Sequence, residues 1–284
     1  MKFKGKFIII GGPEDGVERK SEVQDFIKTE ILERLISESA KNNHSRIEIV
    51  TTASAIPEEI GKEYQRAFDS LGLENVGILN MVSRKKSETP EVIKRIQESD
   101  VVLFTGGDQI RLTSVLGGSL FFDTIRERLS NDASFIYVGI SASGAAASES
   151  MICAGESNNA INKGDVQTGT GFGLVENVIF DTHFINRGRI GRLLQIVVTN
   201  PKILGIGLEE NSGVLIQDNK MEAIGCGMII IIDGQEIKNS NLLDVKSGVP
   251  LSIENLKLHV MSQTDIFDLN ERKLTIVTPE ECRL

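Results

Sequence analysis

Between residue 6 and about residue 140, short β-branched runs alternate with charged amphipathic stretches, and few folds accommodate such a pattern. Residues 6–10 (KFIII) read as a strand, and 22–40 carry apolar residues at helical spacing. A strand over 47–51 (IEIVT), a helix near 57–71, a strand over 76–80, a helix near 89–98 and a strand over 101–105 (VVLFT) follow. A helix from about 109 to 129 then leads into a strand over 135–140. The strands are continuously apolar, as strands buried on both faces must be, and short Gly-bearing turns join them to the helices. The expectation is an α/β fold: a mostly parallel sheet with helices on both faces. After residue 200 the rhythm changes. Segments 203–208, 213–217, 221–232, 256–260 and 273–277 read as strands without helices between them, which predicts a β-rich, antiparallel C-terminal extension. No Pro- or Ser-rich linker interrupts the chain, so 1–284 reads as one domain, with an α/β core over 1–200 and the extension over 201–284.

Composition removes several function classes. A chain of 284 residues buries a full core without disulfides or metals. The net charge of −9 argues against a general nucleic-acid binder, which needs a basic face. Only three histidines (His44, His183, His259) and three cysteines are present, so a zinc centre would use nearly all of them from distant points. No metal and no cofactor are expected. Cys153, Cys226 and Cys282 are odd in number and far apart, which implies no disulfide framework. The apolar run near the N-terminus, Phe7 to Ile10, is too short for a signal-peptide core or a membrane span. The expectation is a cytoplasmic protein with no membrane partner.

In a parallel sheet, functional groups collect at the C-terminal ends of strands. Three such ends carry unusual sequence: Gly11-Gly12-Pro13-Glu14-Asp15, Thr105-Gly106-Gly107-Asp108-Gln109, and Gly139-Ile140-Ser141-Ala142-Ser143-Gly144-Ala145. The third has the order of a nucleophile elbow: a strand, a tight turn bearing Ser141, then a helix of small residues. Such a turn lifts a hydroxyl out of the sheet to a helix N-terminus, where backbone N–H groups stabilise an oxyanion. The same spacing also describes an ordinary turn with Ser141 as an N-cap. In the second, Gly107 offers a second oxyanion N–H beside that of Ala142, Gln109 offers an uncharged hydrogen-bonding group, and Asp108 reads as the cap of the next helix. Gly11-Gly12 lacks the full glycine pattern of a dinucleotide site.

A serine nucleophile needs a base. His44 lies in the polar run KNNHS and His259 alternates with Leu258 and Val260, so both read as surface or sheet residues. His183 follows the apolar strand NVIF in Asp181-Thr182-His183-Phe184, and Arg187, Arg189 and Arg192 come next. Arg187 and Arg189 in a turn, with Arg192 entering a helix, can converge on an anion beside His183, because the planar guanidinium fork binds carboxylates bidentately.

Together, FTGGDQIRL, GISASGAAASESMI and DTHFINRGRIGRL resemble the cyanophycinase family of serine peptidases, relatives of the aspartyl dipeptidases, over about residues 5–210. The resemblance implies a fold like that of the class I glutamine amidotransferases, often as a homodimer. It also implies an exopeptidase that releases β-Asp-Arg dipeptides from cyanophycin, multi-L-arginyl-poly-L-aspartate. On it, Ser141 matches the nucleophile, His183 the base, and Gln109, Arg187, Arg189 and Arg192 the substrate-binding positions. Three departures stand out. Ile140 and Ser143 replace Thr and Gly in the elbow, Thr182 replaces Gln, and Asn159 stands where the pattern has the catalytic Glu. The orientation of His183 therefore falls to Asn159, with Glu156 as the alternative, and Ser143 is an alternative register for the nucleophile. An impaired pseudoenzyme that binds β-aspartyl peptides, or an aspartyl or isoaspartyl dipeptidase, are the competing functions.

Overall fold

The computed structural model describes residues 3–12, 30–155 and 161–278. Five parallel strands form its centre: β1 (Lys6–Ile10), β2 (Ile47–Val50), β3 (Val76–Leu79), β4 (Val101–Phe104) and β5 (Ile136–Ile140), in the order β1-β5-β4-β2-β3. The pleat divides their side chains between two cores. Phe7, Ile9, Val102, Phe104 and Tyr137 face one way, and Ile8, Ile10, Val101, Leu103 and Val138 the other. Each fully buried side chain of this size contributes about 1.5–3 kcal/mol.

Helices α1 (Glu30–Glu38), α2 (Pro57–Ser70), α3 (Arg84–Ser87) and α4 (Pro90–Glu98) fall between these strands. Residues 22–29 of the expected first helix lie outside the described residues. The helix expected over 109–129 is two, α5 (Gln109–Leu116) and α6 (Leu120–Asn131). Gly117 and Gly118 separate them, Gly118 at φ +64, and Ser119 caps α6 by accepting from the N–H of Phe122 at 3.3 Å.

After β5 come α7 (Ala142–Ala146), β6 (Ser150–Ala154), β7 (Gln167–Thr170), β8 (Val178–Thr182) and α8 (Ile190–Thr199). The β-rich extension is present as β9 (Leu204–Leu208), β10 (Ser212–Gln217), β11 (Lys220–Gly225), β12 (Ile229–Asp233), β13 (Asn239–Ser240), β14 (Ile253–Glu254), β15 (Lys257–Met261), β16 (Ile266–Asp268) and β17 (Lys273–Thr275). It is threaded into the core rather than appended to it. β10 pairs antiparallel with β1, and β11, β16 and β17 continue outward to complete a nine-stranded sheet. β9 pairs in parallel with β8, and β12 and β15 complete a second sheet of four strands. The single strand expected over 221–232 is therefore two strands in different sheets. Gly225, at φ +80, turns the chain where a Cβ would overlap the carbonyl of Asn211. Among the described residues no helix is long and apolar enough to cross a membrane.

This weave sets the active surface. The ends of β1, β4 and β5 lie side by side, and the β9–β10 turn is laced to the end of β1. Gly11 N–H donates to Ser212 O at 2.9 Å and Asn211 N–H to Gly12 O at 3.0 Å.

One buried ion pair joins the sheets. Asp233, 1% exposed at the end of β12, accepts from Arg272 of the β16–β17 turn, which also donates to Lys202 O. Arg272→Met leaves that buried carboxylate without its cation and is expected to destabilise the protein by about 3–5 kcal/mol. Urea unfolding checks this, and a loss below about 1 kcal/mol, the range of an exposed pair, would show that the bridge is dispensable.

Candidate active site

β5 delivers Ser141 into a strained turn at φ 52 and ψ −115, the first residue before α7. Non-glycine residues at positive φ are uncommon and cluster at functional sites. The strand and helix flanking the turn are in contact: a Cβ on Gly139 would lie 2.7 Å from Ser143 O, and one on Gly144 3.0 Å from Gly139 O. The positions that exclude a side chain are therefore 139 and 144. Ser143 is accommodated, fully buried, with its hydroxyl donating to Thr105 O and its carbonyl accepting from Tyr137 OH at 3.1 Å. That hydroxyl is aimed at a backbone carbonyl, so the alternative register is not the one that meets a base.

Ser141 does meet one. Its Oγ lies 2.9 Å from Nε2 of His183, which the turn after β8 presents at φ 50, only 3% exposed. Because β8 and β9 run parallel and in register, the turn that follows β9 emerges beside His183. It carries Glu210, 6% exposed, whose Oε1 lies 2.8 Å from His183 Nδ1. A proton on Nδ1 facing that carboxylate leaves the Nε2 lone pair for the serine hydroxyl, the arrangement a general base requires. Glu210 thus offers His183 a carboxylate partner, while Asn159 and Glu156, the residues expected to orient the ring, lie outside the described residues. The signal for Glu210 was available: Leu208-Glu209-Glu210 closes an apolar strand, and strand ends are where such groups gather. Its partner, however, is set by strand pairing and not by spacing along the chain.

Glycines make room for the pair. A Cβ on Gly12, itself at φ +113, would stand 2.7 Å from His183 Cε1 and 3.3 Å from Ser141 Cβ. One on Gly106 would stand 3.4 Å from Ser141 Cβ, so the turn after β4 also lies against the serine. Gly107, at φ +136, packs so closely on the carbonyl of Ala53 that no side chain fits. Asp108 caps α5 as expected, accepting from Ile110 N–H at 2.7 Å and Arg111 N–H at 3.1 Å. Gln109 is half-buried and donates from Nε2 to Ile152 O at 3.1 Å.

The three arginines separate instead of converging. Arg192 is buried, and its fork closes on Asp181, with Nε 2.6 Å from Oδ2 and Nη2 on Oδ1. The structure thus corrects the expectation that Arg192 faces an open anion site: Asp181 already satisfies its charge. Arg189 donates from Nη1 to Thr182 O at 2.6 Å and lies 3.4 Å from Asp181 Oδ1. Burial, reinforced by Arg192 and Arg187, lowers its pKa to about 10. Arg187 is the exposed member.

These charges act on the imidazole. Burial pushes the pKa of His183 down to about 4, Arg187 and Arg189 push the same way, and Glu209 and Asp181 oppose them. The ring is therefore neutral at neutral pH and able to accept a proton. What the site can do chemically is activate a hydroxyl for attack on a carbonyl.

A family model for peptidase family S51 matches residues 19–224. The chain is 34% identical over 270 residues to a cyanophycinase from Trichormus variabilis, covering 95% of this chain and 87% of that one. It is 30% identical over 272 residues to a cyanophycinase from Synechococcus elongatus, covering 95% and 81%. Among solved structures it resembles a peptidase from an acI-B1 actinobacterium, with a TM-score of 0.60 and 19% identity over 83% of this chain and 93% of that one, a likeness of fold.

The electrostatics can be checked without a substrate. In an NMR titration, with His183 assigned by its loss in His183→Gln, the ring is expected to titrate near 4, well below the 6.5 of a free imidazole. Titration at or above 6.5 would show that Glu210 outweighs burial.

Proposed function

Since this chain belongs to peptidase family S51 and is a serine-type peptidase, we propose that it is a cyanophycinase-like exopeptidase that releases β-Asp-Arg dipeptides from cyanophycin. The observation that carries this reading is the hydrogen-bonded line from Ser141 through His183 to Glu210, at 2.9 and 2.8 Å.

Ser141 Oγ attacks the scissile carbonyl while His183 Nε2 takes its proton, and Glu210 stabilises the imidazolium that forms. The oxyanion is assigned to the N–H groups of Gly107 and Ala142, the first in the turn beside Ser141 and the second at the start of α7. The tetrahedral intermediate collapses as His183 returns the proton to the leaving amine, which leaves an acyl-serine. Water, activated by the same imidazole, then hydrolyses the acyl-serine, frees the acyl fragment and restores the hydroxyl.

Arg187, exposed four residues past His183, is the member of the arginine group suited to a free carboxylate of the polymer, that of an arginine branch or of the chain end. Gln109 is assigned to the peptide end. Arg189 and Arg192 act one step back, fixing Asp181 and the Thr182 carbonyl and so the turn that holds His183. The reading of the chain as an impaired pseudoenzyme rested on the departures at the elbow and at Asn159; the buried fit of Ser143 and the Glu210 carboxylate at His183 support an active enzyme instead.

Incubation of the pure protein with cyanophycin is expected to release β-Asp-Arg, detected by mass spectrometry, and Ser141→Ala is expected to release none. Glu210→Gln keeps the shape but not the charge, and should lower kcat by roughly 10⁴. Equal release by wild type and Ser141→Ala, or no release by wild type, would sink the proposal.

A further inference from the structure

A carboxylate has two oxygens, and the line to Ser141 uses one of those on Glu210. The other, Oε2, accepts from Nδ2 of Asn186. An ionised carboxylate has no proton to give, so the amide must turn its NH2 toward it. Asn186 itself is exposed, three residues past His183, and core packing does not account for the residue.

The neighbouring acid holds the same turn from the opposite direction. Glu209 Oε2 accepts from the backbone N–H of Ile185 and, at 3.2 Å, from that of Asn186. Its Oε1 accepts from the N–H of Glu210 at 2.9 Å. The backbone of 185–186 is thus gripped by Glu209, while the side chain of Asn186 grips Glu210. The two turns are cross-bonded at both ends.

We propose that Asn186 is a positioning residue that holds the Glu210 carboxylate ionised and in the rotamer that orients His183, an inference that rests on the peptidase reading above. Glu210 is only 6% exposed, so water is a poor substitute for the amide at Oε2. Among the described residues, the charged groups near it include His183 at Oε1 and the adjacent Glu209, with Asp181, Arg187 and Arg189 acting on the imidazole. With Asn186 removed, burial and the negative Glu209 both favour the protonated acid, which no longer stabilises an imidazolium.

Asn186→Leu is therefore expected to lower kcat on cyanophycin by about 10–100-fold, by analogy with the loss of a hydrogen bond that orients a metal ligand. KM should stay within about twofold, because the loss is confined to the transition state. The acid limb of kcat/KM should move to higher pH. The deciding measurement is a double-mutant cycle. In a Glu210→Gln background, Asn186→Leu should cost almost nothing further, since its target carboxylate is gone. Equal losses in both backgrounds, or a wild-type rate in Asn186→Leu, would overturn the assignment. If Asn186→Leu does not fold, Asn186→Ser is read in the same way. Failure of the peptidase reading itself shows separately, as an inactive wild type. In that case the His183 Nδ1–H resonance decides: it should be hydrogen-bonded and downfield in the wild type and shifted upfield in the variant. An unchanged resonance would overturn the proposal.

Discussion

The hydrogen bond between His183 Nδ1 and Glu210 Oε1, 2.8 Å long and shielded from solvent, is the contact on which the rest of the site depends. It favours the tautomer with the proton on Nδ1 and leaves Nε2 for Ser141, and in the proposed mechanism it gives the imidazolium a counter-charge. Its existence requires that three turns, after β1, β8 and β9, meet more closely than side chains allow. Gly11 and Gly12 permit this: a Cβ on the first would overlap the Glu209 carbonyl, and one on the second would strike the His183 ring. A dipeptide that is weak as a nucleotide motif is thus needed for steric reasons.

Around that contact the charges are arranged in opposition. Burial and two arginines hold His183 neutral, while Glu209 and Asp181 moderate them. Asp181 also closes the Arg192 fork and contacts Arg189, so the turn that presents His183 is tied to the helix that follows it. An arginine-rich segment in an acidic chain is therefore partly scaffold. Arg192 is consumed inside the protein, and Arg187 remains at the surface beside the base.

Much of this was legible in the chain itself. The five central strands came from their apolar runs, and Ser141 and His183 from their places at strand ends. The misreadings have local causes. Gly117-Gly118 was absorbed into one helix because the apolar spacing continues across it. Residues 221–232 read as one strand because the turn at Gly225 is short and both halves are apolar. Ser143 departs from the elbow pattern, yet the close approach falls on Gly139 and Gly144, and the hydroxyl at 143 finds a buried carbonyl.

Glu210 was missed for a different reason. Its partner lies 27 residues away, and the separation becomes a contact only because β8 and β9 pair in parallel and in register. Likewise, nothing in the local sequence distinguishes Arg192 as buried or Asn186 as bonded to the acid. By itself, the sequence determined the periodic elements and set Ser141 and His183 at strand ends, because apolar spacing and turn chemistry act over a few residues. The contact of Glu210 with His183, the fate of each arginine and the two-sheet weave were decided only by tertiary structure, because strand register and close packing join residues that no spacing rule connects.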